Sequence, residues 1–193
     1  MEKLYCNHCL STGKKCLHIL IPFIILTGCC LLWCKDALTS GNLMCHTHYI
    51  RKICFAGAYT WDSQSYVAVL DIPDSCGEYR VSALGGYVGS GAPVPFFVNI
   101  PNAIFCCKEE TLPQDAEIEY YHLILNIGRY VRDDKFIVMD EFHNVGENQF
   151  IQILVTVSCS AQNRDFYAED GKLYRKSNDS LVEGFYYYSD YCE

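Results

Sequence analysis

Thirteen cysteines and six histidines in 193 residues put thiol and metal chemistry first. Thiolate and imidazole are the ligands zinc prefers, and a structural site takes two ligand pairs at defined spacing. Cys6-Asn7-His8-Cys9 supplies one pair, with Cys16 and His18 beyond it, and no second pair follows. Cys45-His46-Thr47-His48 again crowds ligands together without a partner pair. Both read as side chains of polar segments, and no metal or other cofactor is expected. Glu109, Glu110, Asp115 and Glu117 lie in an acidic stretch broken by Pro113, where carboxylates are ordinarily solvated. Asp140-Glu141-Phe142-His143-Asn144 sets acid, base and amide side by side. Adjacent strand residues point to opposite faces, so these groups do not converge through their own segment. The glycine-rich run 85–93 lacks the Lys-Ser/Thr ending and the following helix of a phosphate cradle. No nucleophile and base stand at an interpretable spacing, so the chain is expected to be non-catalytic. A pocket bringing His122 or His143 to a carboxylate and a nucleophile would reverse that.

Aromatic residues offer recognition instead. Tyr186, Tyr187 and Tyr188, with Tyr191, suit a surface for sugar or peptide. They suit equally a closing strand over the end of a repeat array, which needs such a cap. The formal net charge is −8. Without residues 1–34, 12 basic residues face 22 acidic ones, a balance of −10. That balance repels phosphate backbones, and no run of Lys and Arg interrupts it, so no nucleic-acid partner is expected.

Positioning these residues falls to four segments. Residues 1–16 form a polar leader with Lys3, Lys14 and Lys15. Residues 17–34 hold the one long apolar run. As a helix it spans roughly 25 Å, short of a bilayer core of about 30 Å. An export signal, a single-pass anchor and a buried soluble helix all remain open to it. Residues 35–53 read as a tether, and residues 54–193 as a β-rich domain. Six cysteines fall in the first 34 residues and seven beyond. An odd count fits a disulfide scaffold poorly, so most are expected as core thiols with one or two bridges open.

Within 54–193, a short apolar-polar-apolar triplet ending in a breaker recurs four times. The copies are Leu70-Asp71-Ile72, Val98-Asn99-Ile100, Leu125-Asn126-Ile127 and Val155-Thr156-Val157. Steps between their last residues are 28, 27 and 30, a spacing that predicts stacked repeats. Each triplet is too short to be stable alone and is expected to lie beside its neighbours. Residues 54–61 and 66–72 read as a hairpin with a four-residue loop, and 136–139 as a further strand. Phe150 to Val157 is nearly all apolar, as in a strand buried on both faces. Asp170-Gly171 between aromatic flanks predicts a tight hairpin.

Two resemblances follow. Leu26-Thr27-Gly28-Cys29 resembles the lipobox of bacterial lipoproteins, which implies Cys29 as a lipid-anchored N-terminus. Ile72-Pro73 through Gly77-Glu78-Tyr79-Arg80-Val81-Ser82-Ala83-Leu84-Gly85 resembles the entry repeat of bacterial BspA-like leucine-rich-repeat proteins. Val98-Asn99-Ile100-Pro101 and Asn126-Ile127-Gly128-Arg129-Tyr130-Val131 are similar to its later steps. Asn163, Phe166, Gly171, Leu173 and Tyr174 are similar to its closing hairpin. The likeness covers about residues 71–176 and implies a mainly β, leucine-rich-repeat-like solenoid at the cell surface. The implied role is a membrane-tethered binding or adhesion module for a protein or surface polymer. Its membrane contact would run through the N-terminal segment. An envelope structural protein without a dedicated ligand is the alternative.

Overall fold

A computed structural model describes residues 37–48, 51–62, 64–87 and 92–191. The leader, the apolar run 17–34 and Cys29 lie outside the described residues. Among the described residues, no helix is long and apolar enough to cross a membrane.

The fold is mainly β. In chain order the first strands are β1 (Ala37–Ser40), β2 (Leu43–His48), β3 (Ile53–Thr60), β4 (Val67–Asp71), β5 (Ser75–Cys76) and β6 (Tyr79–Leu84). Then come β7 (Gly86–Tyr87), β8 (Pro93–Val94), β9 (Phe97–Asn99), β10 (Phe105–Cys107), β11 (Glu117–Ile127) and β12 (Phe142–Gly146). The last are β13 (Gln149–Cys159), β14 (Phe166–Glu169), β15 (Lys172–Arg175), β16 (Ser180–Leu181) and β17 (Tyr186–Tyr187).

Two six-stranded sheets carry the core. One runs β1-β2-β3-β6-β5, with β9 on the far half of β3. The other runs β10-β12-β13-β11-β4, with β17 on β13. Apolar residues of both sheets join in one cluster, from Leu43 and Val81 to Leu125 and Val155. The strand pattern decides which side chains enter it: on β11, Leu123, Leu125 and Ile127 are buried while Ile124 and Asn126 are only partly so.

The triplets divide between the sheets. Leu70, Leu125 and Val157 stand in register on the parallel strands β4, β11 and β13. The polar residue of the β13 copy is displaced: Ser158, not Thr156, lies opposite Asn126. Asp71, Asn126 and Ser158 form a hydrogen-bonded row along the outer face. The fourth triplet departs, since Val98 and Asn99 pair with Tyr59 and Thr60 of β3 in the other sheet. Four adjacent triplets are therefore corrected to three.

Three further expectations change. The segments around β3 and β4 are not a hairpin. The link between them carries the chain from one sheet to the other, held where Trp61 Nε1 donates to the Ser65 carbonyl at 2.6 Å. Residues 37–48, expected within the tether, form the hairpin β1–β2 and bury Leu43, Cys45 and Thr47. Residues 136–139 touch neighbours only through single bridges, Phe96 to Ile137 and Met139 to Phe185. Asp170-Gly171 does turn β14 into β15, both residues taking positive φ (49° and 75°). Residues 150–155 of β13 are all buried, covering both faces.

Candidate functional site

The outer face of the parallel strands is apolar where a solvated sheet would be polar. In register across it stand Val67 of β4, His122 of β11 and Leu154 of β13. Tyr186 of β17 continues that row beyond Leu154. Tyr66, Tyr120, Tyr121, Tyr188 and Tyr191 rise around the row, and together they line a groove of about 370 Å³. This volume lies within the usual range for small-ligand sites, roughly 300–1,000 Å³. Three of the walls are open to solvent: Tyr66 is 60% exposed, Tyr120 50% and Tyr191 47%. Exposing large aromatic rings on a folded surface marks contact sites more often than chance does.

The rings are braced against each other. Tyr121 packs between Trp61 and Tyr66, each centroid 5.3 Å away. Tyr191 meets Tyr120 at 6.4 Å and Tyr186 at 5.8 Å. His122 lies flat against Tyr188, the rings 4.1 Å apart and inclined 22°. Its Nε2 is 2.8 Å from Thr156 Oγ1, and partial burial lowers its pKa, so it stays a neutral ring with one polar edge fixed. Burial also raises the phenols of Tyr121 and Tyr191. The groove is thus a neutral aromatic cradle with hydroxyls at its rim. It can stack on a flat apolar face and exchange hydrogen bonds at its margin.

The three tyrosines expected as a patch separate by strand alternation. Tyr188 faces the groove. Tyr186 is half-buried between Phe142 and Tyr191, where burial, then Glu109, pushes its phenol up to about 12. Tyr187 points inward, is 3% exposed, and donates its hydroxyl to the Val182 carbonyl at 2.7 Å. It is a core residue, which corrects its place in the patch. β17 also acts as the expected closing strand, pairing in parallel with Leu154 and Val155 of β13.

His143 does meet a nucleophile. Cys106 and His143 are cross-strand partners on β10 and β12, with Sγ 3.3 Å from Nδ1. Electrostatics keep this pair neutral. Burial, then Glu141, pushes the Cys106 thiol up, and burial pulls His143 down to about 4. A thiolate–imidazolium pair needs the opposite shifts. Cys45 faces the core while His46 stacks on Phe55 at 5.2 Å, so this crowded run splits between the two faces of β2. Among the described residues no three His, Cys, Asp or Glu side chains group as metal ligands.

Sequence reading did not single out Tyr66, Tyr120 and Tyr121, although Tyr120-Tyr121-His122 is an unusual aromatic run ahead of Leu123. It also missed the gathering of arginines described below. The chain matches no family model, no curated protein and no solved structure.

Proposed function

We propose that the chain is a membrane-tethered, extracytoplasmic binding module, and that the tyrosine-lined groove is where it holds a surface polymer or protein segment. The observation that carries this is five tyrosines around one groove on the outside of a rigid parallel sheet. The anchor in this reading is the apolar run 17–34, by acylation at Cys29 or as an uncleaved span. The three-triplet stack reads as a short, degenerate leucine-rich-repeat-like coil related to BspA-like proteins, with one step moved to the facing sheet. No step of this role uses catalysis or a cofactor.

Binding of the full chain to an array of immobilised glycans and peptides tests it. Saturable binding to one class is expected. Tyr120→Ala with Tyr191→Ala should weaken it about tenfold or more, because aromatic contacts at the centre of a site carry most of its affinity. Binding that survives both substitutions would remove the groove from the reading. No binding to any class would favour the structural alternative.

A further inference from the structure

The chain has six arginines, at 51, 80, 129, 132, 164 and 175, and no two are adjacent. All six line one continuous band of three clefts. Parallel stacking explains how. Chains leaving β4, β11 and β13 emerge at the same edge of the sheet, so their following loops lie together. The loop after β11 presses onto the loop after β4 at Gly128, where a Cβ would sit 2.6 Å from the Ile72 carbonyl. Asn163, only 2% exposed, ties the next loop in. Its Nδ2 donates to the carbonyls of Gly128 (2.8 Å) and Val131 (3.0 Å). Its Oδ1 accepts from the N–H groups of Asp165 (2.9 Å) and Phe166 (2.8 Å).

The middle cleft, about 320 Å³, is lined by Arg80, Arg129, Arg132, Arg164, Tyr130 and Gln162, with no carboxylate among them. Arg80 and Arg129 both lie over the Tyr130 ring, 4.3 and 4.8 Å from its centroid. Arg129 is held from behind by Asp74 at 2.6 Å, and Arg132 loosely by Asp165 at 3.6 Å. Among the described residues, Arg80 and Arg164 meet no carboxylate. Over the whole band eight basic side chains face four carboxylates, Asp74, Glu78, Asp134 and Asp165. This surplus stands on a chain whose net charge is −8.

Holding four guanidiniums around one cleft costs like-charge repulsion that a bound anion relieves. The planar fork of arginine matches phosphate and sulfate oxygens two at a time. We propose that this cleft is a second binding site, independent of the tyrosine groove, for a compact oxyanion bearing two or more phosphate or sulfate groups. The acidic remainder of the molecule disfavours a long, uniformly charged polymer, whose length would extend over repelling surface.

Isothermal titration of the full chain with inorganic pyrophosphate, at fixed ionic strength, tests this. Saturable binding is expected. Arg80→Gln with Arg164→Gln should weaken it by at least about tenfold, the loss expected for a charge-assisted hydrogen bond. Neither arginine has a carboxylate partner, so the melting temperature should stay unchanged, which separates loss of binding from loss of fold. Lys108→Gln with Lys135→Gln removes equal charge outside the band and should leave binding intact. Absence of saturable binding, or equal weakening in both double variants, overturns the site. So does a DNA duplex that binds more tightly than pyrophosphate and loses that binding in the arginine variant. Given pyrophosphate binding, its displacement by phosphatidic-acid vesicles assigns the oxyanion to a lipid headgroup. Failure to displace it assigns the oxyanion to a soluble source, and either result upholds the cleft.

Discussion

His143 shows how one side chain can set a pH limit without taking part in chemistry. Its ring is 7% exposed and is held down to about 4 by burial, against an ordinary value of 6.5. Unfolded, it takes up a proton as pH falls through 6.5; folded, it resists until about 4. The unfolded state binds more protons between those values, so stability is full above 6.5 and declines across that window. The loss is complete below about 4 and amounts to about 3 kcal/mol at most. Thermal unfolding followed from pH 7 to 4 should show this decline, and His143→Gln should flatten it. An unchanged slope in the variant would place the acid sensitivity in carboxylates instead.

Loops after the parallel strands are the next scale, and Asn163 governs them. Four buried hydrogen bonds converge on one amide, joining the segment after β11 to the segment after β13. Asn163→Ala strands two carbonyls and two N–H groups, and should cost at least about 3 kcal/mol. Urea unfolding checks this, and an unchanged slope with denaturant would confirm that only stability moved.

At this scale the legible and illegible parts of the sequence separate cleanly. The triplets around Leu70 and Leu125 reveal parallel neighbours because their polar middle residue must face out while its flanks face in. Nothing in Val98-Asn99-Ile100 distinguishes the sheet it joins, because both sheets demand the same alternation. The Asp170-Gly171 turn is readable since positive φ at two successive positions restricts the residue types. Alternation also sorts Tyr187 from Tyr186 and Tyr188 once a strand is placed there. The arginine band is not readable, because its members lie tens of residues apart and meet only through strand stacking. The tyrosine groove is half readable: Tyr188 and Tyr191 come from the tail, while Tyr66, Tyr120 and Tyr121 come from the strands it covers.

For the whole molecule, the C-terminal segment decides whether the two sheets close. Val182, Phe185 and Tyr187 all belong to the shared core, and Tyr187 pairs with Val155 of the most buried strand. Burying each such side chain contributes about 1.5–3 kcal/mol. Their sum rivals the roughly 5–15 kcal/mol that holds an ordinary domain together. Ending the chain at residue 179 should therefore abolish cooperative unfolding, as read by circular dichroism, rather than lower the midpoint by a few degrees. A truncated chain that still melts in one sharp transition would show that the sheets close without this cover.

The outer row Ser158–Asn126–Asp71 has a direction. Ser158 donates to Asn126, and Asn126 donates to Asp71, so every hydrogen in the relay points toward β4. The relay stops at a carboxylate, which accepts but cannot pass a proton on. β4 pairs only with β11 among the described residues and is the exposed margin of its sheet. A strand from another molecule attempting to extend the row there would meet an anion instead of a donor. The same side chain that completes the internal relay thus works as a stop against end-to-end growth of the sheet.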